Sequence, residues 1–528
     1  MEGPHHIWGT WWLIGRGPSI AVTRVRLHAL AIVSFLAGEW SRYVWGWRAA
    51  GLVAASLAVP VLAWSAWRRA LRPMFVMAAS LASGILVGAA WAAWQPARPS
   101  APPGARDVIA GQVQSVKVIH RRSEIVLAVR REGEDAHPCH YQALVFVERG
   151  ARIDAGEWVE ADGTFVASDR APTAMDILSP LYLFDGRVRV LDRPQRFGQR
   201  VTAYMAARME DVAPAGEREA ILVALSMVFG NTPGSLPQGV SSDFLAAGVT
   251  HLLVASGSNV GFALDLAAIP WQTLFGRACT RRRRLVYGVY ALCAVWGFAL
   301  LCGFQLAIFR AACGATYSIA AGMCGRRVHG YTVLWSSAWM AGVLDPADLL
   351  APSMLMSLYA SFAVCEAHAL WHRIGFGRWV GREKARTSPF ERARRMAASL
   401  ARAFIAAAII DAYMVPVLWW LFRQWTPYGA LSTAVLEPAV EVLMPLIVLW
   451  SFMASLVHAW PWPPIAWCAE AMSRVGGAAM SAVLDFVHFV ASWHGSLRSL
   501  APLSFAGACA LVLVLVAVAH VRVPQRRG

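Results

Sequence analysis

A strongly apolar stretch, VTHLLVASGSNVGFAL at residues 249–264, contains four polar side chains and two glycines within residues 251–261. Serines alone would fit an ordinary membrane helix, because their hydroxyls can bond to carbonyls of the same helix. A histidine and an asparagine are costly in lipid, and glycine weakens a helix. The combination predicts a polar pocket or a pore lining in a membrane segment. Its candidate residues are His251, Ser256, Gly257, Ser258, Asn259 and Gly261.

The two glycines of this stretch, Gly257 and Gly261, have the four-residue spacing that allows helices to approach closely. Glycine also adopts a positive φ without strain, which a helix break can require. We therefore expect both glycines to tolerate substitution worse than the polar residues around them.

The amino-acid composition indicates that the apolar segments of the chain lie in a membrane. Hydrophobic residues make up 57% of the 528 residues, charged residues only 15%, and the mean hydropathy is +0.46. Soluble proteins average about 25% charged residues. Many of the 25 tryptophans lie near the ends of apolar runs, where indole rings favour the membrane interface. These features predict a polytopic α-helical membrane protein.

The net charge is +16, which fits either of two explanations. A basic chain can bind nucleic acid, but membrane proteins also collect arginine in cytoplasmic loops, and the second explanation is the more ordinary one. The nine cysteines are scattered without a CxxC pattern. We expect no metal site, no disulfide framework and no cofactor.

The chain divides into four regions by its patterns of hydropathy. Residues 1–97 contain three candidate spans, and residues 98–200 contain five short alternating runs that predict strands of a small, OB-like β-barrel. Residues 201–500 form a second set of apolar segments, and residues 501–528 hold the last one with a basic tail. The candidate spans are 27–40, 49–67, 74–94, 243–275, 285–304, 307–325, 331–344, 351–370, 403–422, 434–458, 476–493 and 502–521.

Arginine placement orients the chain in the bacterial inner membrane. Arginine-rich loops, among them Arg281 to Arg284 and the cluster at 373–395, alternate with the spans if all of them are cytoplasmic. This arrangement places the barrel outside the cytoplasm and both termini inside. The cluster at 373–395 itself fits either a helix on anionic lipid or an exit funnel for DNA.

Basic residues of the predicted barrel concentrate around one hairpin: Lys117, Arg121, Arg122, Arg130 and Arg131. Grooves for single-stranded nucleic acid combine such charges with stacking aromatic rings, and few rings occur nearby. A weak DNA-binding surface and an ordinary solvated hairpin are equally compatible with this pattern.

Charged residues also occur inside the predicted spans. Arg310 lies in an apolar helix, where it either reaches the interface or lines a path and binds phosphate. Glu437 and Glu441 are four residues apart and share a helix face, from which they could pair with an arginine. Pro438 and Pro445 in the same segment predict a kinked or broken helix.

Residues 221–261, ILVALSMVFGNTPGSLPQGVSSDFLAAGVTHLLVASGSNVG, resemble the ComEC family of competence proteins. Asn259 stands where histidine is commoner in that family. The matching residues are Ala224, Leu225, Gly230, Leu236, Phe244, Gly248, His251, Leu252, Leu253, Ser256, Gly257, Val260 and Gly261. Two further stretches support the resemblance: residues 308–327, and residues 344–364 with Met356-Ser357 in place of a Leu-Ser pair.

The resemblance implies an inner-membrane channel that takes up single-stranded transforming DNA. It also implies an OB-fold domain, contact with membrane lipids, and separate partners: a DNA receptor, a nuclease and cytoplasmic DNA-processing proteins. Many family members carry a C-terminal metallo-β-lactamase-like domain, whereas this sequence shows no His-x-His-x-Asp-His cluster. We expect no nuclease, and no enzyme activity, in this polypeptide.

Two other functions stay open from the sequence. Ala255-Ser256-Gly257 resembles the Gly-x-Ser-Gly motif of intramembrane serine proteases, with Val254 in place of the first glycine. Such a hydrolase needs a histidine from another helix, and His458 and His488 are the candidates. The third candidate is a transporter of small solutes.

Overall fold

Most of the described chain is helical, and one group of strands precedes the helices. The structure is a computed structural model. It describes residues 106–119, 122–132, 137–148, 153, 157–166, 181–191, 197–214, 216–230, 236, 238–254, 256–276, 280–326, 328–344, 351–374, 389–460 and 462–520. The first three candidate spans and the basic cluster from 375 to 388 lie outside these residues.

Five strands form a closed barrel in the order β1-β2-β3-β5-β4. β1 and β4 are antiparallel neighbours, with Arg106 opposite Thr164, whereas β3 and β5 run parallel. The alternating runs in the sequence are therefore strands, as the period-two pattern predicted. Their bounds are Arg106–Ile119, Arg122–Glu132, His137–Glu148, Trp158–Val166 and Leu181–Leu191 for β1 to β5.

Every second side chain of a strand lies in the interior of the barrel. Ile109 in β1, Val159 in β4 and Phe184 in β5 have no exposed surface, because side chains alternate between the two faces of a strand. Gly163 and Gly186 face each other on β4 and β5. A Cβ atom on Gly163 would lie 2.6 Å from the Cα atom of Gly186, so this cross-strand contact requires glycine.

Twelve helices follow in the described chain. Their bounds for α1 to α12 are Phe197–Val212, Arg218–Phe229, Gln238–Ala246, Gly257–Phe275, Arg281–Leu301, Leu306–Met323, Gly330–Leu344, Pro352–Ile374, Pro389–Phe422, Gly429–Ala459, Pro463–Ala491 and Phe505–His520. A short 3-10 turn, Thr250–Leu252, lies between α3 and α4. Two-residue strands, β6 (Gln424–Trp425) and β7 (Arg498–Ser499), pair between the later helices.

Five of the described helical segments are long and apolar enough to cross a membrane, as expected for a polytopic membrane protein. They are Arg281–Leu301, Leu306–Met323, Phe404–Phe422, Gly429–His458 and Pro463–Ala491. Five of the candidate spans are thereby confirmed as helices of sufficient length. The candidate at 243–275 is instead divided between α3, the 3-10 turn and α4.

Pro438 and Pro445 do not break their helix. α10 is continuous over Gly429–Ala459 with both prolines inside it. Of the two predicted alternatives, the break is wrong and the kink stays a prediction. Tertiary packing explains the continuity: α10 packs against α1, α2, α9 and α11, and neighbouring helices can compensate for the backbone hydrogen bonds that proline removes.

The chain forms two compact units, which are described separately: residues 1–102, 129–141 and 256–358 form the first, and residues 103–128, 142–255 and 359–528 form the second. In the first unit, α6 packs against α4, α5 and α7. Trp296 Nε1 in α5 donates to Thr316 Oγ1 in α6 at 3.1 Å. Met354 at the start of α8 is buried with Ala341 of α7 and packs against Leu306 of α6.

The second unit is centred on α10 and α11. Trp450 of α10 has no exposed surface. A Cβ atom on Gly476 of α11 would lie 2.8 Å from Trp450 Cε3, so the indole ring packs directly against this glycine. α9 packs against α10 and α12. Trp419 Nε1 donates to the carbonyl oxygen of Ala501 at 2.6 Å, which anchors the segment before α12 to α9.

Candidate functional site

The apolar segment with four polar residues is a helix break. α3 is followed by Gly248, whose φ of 76° is left-handed. Gly248 N donates to the carbonyl oxygen of Leu245, and Val249 N donates to that of Phe244, which is the hydrogen-bond pattern of a Schellman motif. The chain after the turn is held by Ser226 Oγ, which donates to the carbonyl oxygen of Leu253 at 2.7 Å.

α4 begins at Gly257, and Ser256 is its N-cap residue with extended backbone angles. The hydroxyl of Ser256 does not cap the helix. It pairs with the hydroxyl of Ser258 and donates to Asn259 Oδ1 at 3.3 Å, while Asn259 is 2% exposed. The first turn of α4 therefore carries the partial positive charge of a helix N-terminus without a side-chain cap.

Gly257 brings the start of α4 against α6. A Cβ atom on Gly257 would lie 3.1 Å from Arg310 Nη2 and 3.4 Å from Ala311 Cβ. The prediction of a close approach at this glycine is confirmed. A larger side chain would have to displace the Arg310 guanidinium.

Gly261 does not have the predicted packing role. A Cβ atom built on Gly261 would meet no atom within 4 Å in the described part of the chain. Neither Gly257 nor Gly261 has a positive φ, because the left-handed residue of the break is Gly248. The spacing of the two glycines predicted two close contacts, and only the one at Gly257 is present in the described part of the chain. The reason is that α6 lies against the first residue of α4 and not against the residue one turn later.

Arg310 is 8% exposed and is held between helices rather than reaching a membrane surface by itself. Its Nε atom donates to Ser357 Oγ of α8 at 2.9 Å. The two helices meet there, since Leu306 and Phe309 of α6 pack against the cluster that contains Met354 of α8. Arg310 thus connects α6 with α8 and lies against the first residue of α4.

Five of the predicted channel residues and Ser258 lie together in the first unit, and we call them the Arg310 cluster: Ser256, Gly257, Ser258, Asn259, Arg310 and Ser357. None of these six residues is acidic. A guanidinium beside a helix N-terminus attracts anions, and an arginine binds phosphate through two parallel hydrogen bonds. The chemistry of the cluster therefore suits a phosphate group passing between helices.

Of the other predicted channel residues, Gly261 lies in the first unit, within α4, whereas His251, Glu437 and Glu441 lie in the second unit. His251 is exposed and belongs to the 3-10 turn Thr250–Leu252. Glu437 and Glu441 lie on exposed positions of α10, one turn apart, as the spacing predicted. The role of all three in a channel stays a prediction.

The basic residues of the predicted hairpin are placed only by their strands. Lys117 lies in β1, and Arg122, Arg130 and Arg131 lie in β2. Arg121 is outside the described residues. A DNA-binding role of this hairpin stays a prediction.

The sequence did not reveal a second close contact at the break. A Cβ atom on Gly248 would lie 2.7 Å from the Cα atom of Gly429 and 2.8 Å from Thr426 Oγ1. On Gly429, a Cβ atom would lie 3.3 Å from Asp411 Oδ2. In the sequence, Gly248 follows a helical pattern. Such a glycine predicts a left-handed cap at the C-terminal end of the helix, but it does not predict which residue the glycine contacts.

The two histidines that a serine hydrolase would need bond to other residues. His488 Nδ1 lies 2.9 Å from Asp243 Oδ2, and His458 Nδ1 lies 3.0 Å from Arg208 Nη1. The hydroxyl of Ser256 is paired with that of Ser258. This geometry gives no support to a serine–histidine pair.

The fold and the cluster define the class: a mostly helical membrane protein with a cationic polar cluster between its helices and a small barrel before them. A family model described as Competence protein matches residues 227–525, which is more than half of the chain. The chain belongs to this competence protein family, of the ComEC type, as the resemblance of residues 221–261 predicted. No curated protein and no solved structure gives a significant match.

Proposed function

We propose that the protein is an inner-membrane channel that takes up single-stranded DNA during natural transformation. The observation that carries the proposal is that Gly257, a residue of the family's motif and the first residue of α4, lies against the buried Arg310. A cation at such a position favours the phosphates of a passing strand. Family membership makes the DNA of transformation the substrate to test first.

In this proposal, the barrel is the part of the protein that receives DNA outside the membrane. Its five-strand order with a parallel β3–β5 pair supports an OB-like fold. We place it on the outer side of the inner membrane and both termini in the cytoplasm, following the arginine-rich loops. There it would receive a strand from a separate receptor, after a separate nuclease has degraded the complementary strand.

The test is uptake of labelled DNA in a naturally transformable host that lacks its own channel gene. Surface-bound DNA and DNA inside the inner membrane are scored separately. Cells with this protein should internalise DNA, and cells with the Arg310→Gln variant should bind DNA normally but internalise much less. Arg474→Gln, which removes an exposed arginine from α11, is the control at matched membrane abundance.

If the Arg310→Gln variant internalises as much DNA as the unaltered protein, the Arg310 cluster does not line the path of the DNA. Absence of internalisation by the unaltered protein, with normal abundance and surface binding, would contradict the channel proposal itself. Uptake of a small labelled solute in place of DNA would identify the alternative class of transporter.

The proposal also assigns strand degradation to another protein. The purified chain should leave both strands of a duplex intact with Mn²⁺ or Zn²⁺ added. Degradation of one strand by a preparation free of contaminating nucleases would show that this chain is itself the nuclease.

A further inference from the structure

One end of the first unit carries a concentration of arginine that is not balanced by acid. Four consecutive arginines open α5, and Arg326 follows α6 at the same end, with all five side chains exposed. Arg284 Nη1 lies 3.2 Å from the position of a Cβ atom on Gly325, so the two loops are neighbours. None of these arginines lies within ion-pair distance of a carboxylate in the described part of the chain.

This arrangement is unfavourable for the helix that carries it. The first turn of α5 contains no acidic residue, and arginines at a helix N-terminus face the positive end of the helix dipole. The neighbouring guanidinium groups also repel each other. An external anion would relieve both effects, so the patch is complementary to a polyanion.

Aromatic rings lie directly beside the arginines. The ring of Trp271 near the end of α4 contacts those of Phe275, Tyr287 and Tyr290, with centroids 4.8, 5.4 and 5.6 Å away. Phe275 is 55% exposed. Arg283 Nη1 donates to the carbonyl oxygen of Phe275 at 3.3 Å, so a guanidinium and an exposed ring belong to one surface.

Trp271 belongs to the inner layer of this surface. Its Nε1 atom is buried, whereas Phe275, whose ring centroid lies 4.8 Å from that of Trp271, is exposed. Phe275 is therefore the ring that a ligand can reach, and Trp271 supports it.

We propose that this surface, the α4–α5 surface formed by Trp271, Phe275, Arg281, Arg282, Arg284 and Arg326, binds single-stranded nucleic acid. The arginines contact successive phosphates, and a base stacks on the exposed ring of Phe275, which Trp271 supports from behind. Anionic lipid would account for the arginines, but lipid has no flat ring to stack on Phe275. The inference rests on the proposed function in one respect: the arginine rule then places this surface where a strand leaves the membrane.

Binding is measured with the full-length protein in nanodiscs of phosphatidylcholine and a fluorescent oligodeoxythymidine, over a series of salt concentrations. The Arg281→Gln, Arg282→Gln, Arg284→Gln triple variant should lower the slope of log Kd against log salt by about 2, since each phosphate contact contributes about 0.7 for a single strand. The control is the Arg218→Gln, Arg474→Gln, Arg498→Gln triple, which removes three exposed arginines of the second unit. Its slope should match the unaltered protein.

Phe275→Leu tests the stacking separately from the charge. Loss of one stacked base should weaken binding about tenfold at every salt concentration without changing the slope. Phe452→Leu is the matched control, because Phe452 in α10 is also 55% exposed. Equal binding by the triple variant and the unaltered protein would overturn the proposal, and so would equal binding by Phe275→Leu.

Nanodiscs that contain phosphatidylglycerol test whether the α4–α5 surface binds anionic lipid instead of nucleic acid. If the triple variant loses bound phosphatidylglycerol but keeps its oligonucleotide affinity, the surface is a lipid site and the proposal is wrong. Because binding is measured without transport, a protein that binds through these residues but internalises no DNA refutes only the proposed function. Normal internalisation with unchanged binding by every variant refutes only this inference.

Discussion

Arg310 Nε and Ser357 Oγ are joined by a hydrogen bond of 2.9 Å, although the two residues belong to different helices. This bond holds a buried guanidinium at the start of α4, where Gly257 leaves room for it. The position of the cation is therefore set by three helices together. That relationship makes the Arg310 cluster open to testing by small substitutions.

Ser357→Ala should destabilise the protein, because it removes the acceptor of a hydrogen bond from a charged donor. Such bonds contribute about 1.5–3 kcal/mol. The thermal unfolding midpoint in detergent should fall, and internalisation of DNA should decrease at matched abundance. Ser353→Ala is the control on the same helix, since Ser353 is exposed. Equal midpoints for the two variants would mean that the Ser357 bond does not stabilise Arg310.

Gly257→Leu should abolish internalisation, because its side chain must displace the Arg310 guanidinium, and overpacking of a tight contact costs about 1–3 kcal/mol. Gly261→Leu should be tolerated better, since a Cβ atom there meets no atom of the described residues within 4 Å. The two variants are compared by transformation at matched membrane abundance. A severe defect in Gly261→Leu with normal function of Gly257→Leu would reverse the assignment of the close contact.

Gly248→Ala should strongly reduce stability. Its φ of 76° is strained for a residue with a Cβ atom, at about 1–2 kcal/mol, and that atom would lie 2.7 Å from the Cα atom of Gly429. Gly239→Ala is the matched control, because a Cβ atom on Gly239 meets no atom within 4 Å among the residues that the structure describes. The measurement is the yield of folded protein together with its unfolding midpoint. Similar values for both variants would contradict the contact with Gly429.

Gly163→Ala should loosen the barrel without affecting the membrane helices. The added methyl group would lie against the backbone of β5, at the carbonyl oxygen of Asp185 and the Cα atom of Gly186. Limited proteolysis of the full chain should cut faster within residues 106–191, whereas Thr164→Ala, at an exposed neighbouring position, should be cut like the unaltered protein. Faster cutting among the later helices instead would locate the defect elsewhere.

Ser256→Ala should leave internalisation largely intact, because a channel needs no covalent step at this hydroxyl. The side chain bonds to Ser258 and Asn259, and each such bond contributes about 0.5–1.5 kcal/mol. A fluorophosphonate probe should not label the unaltered protein at Ser256. Labelling there, together with complete loss of function in Ser256→Ala, would favour a serine hydrolase.

The sequence by itself determined the elements of the protein. Alternating residues in 106–191 predicted strands, and apolar runs such as 285–304 predicted membrane helices, because both patterns depend on neighbouring residues and on the solvent that each face meets. The motif around Ser256 and Gly257 also identified the family. Arg310 was a candidate because it is a charged residue in an apolar helix, and Ser357 was a candidate from the family resemblance.

The tertiary structure decided which candidates meet and which glycines need to be glycine. Gly257 and Gly261 have the same residue type and lie on one helix, yet among the described helices only Gly257 has a neighbour, at Arg310 and Ala311 of α6. The same holds for Gly248, whose contact with Gly429 joins segments far apart in the chain. Spacing along a helix tells which residues share a face, but the helix that covers that face is chosen by the packing of the whole chain.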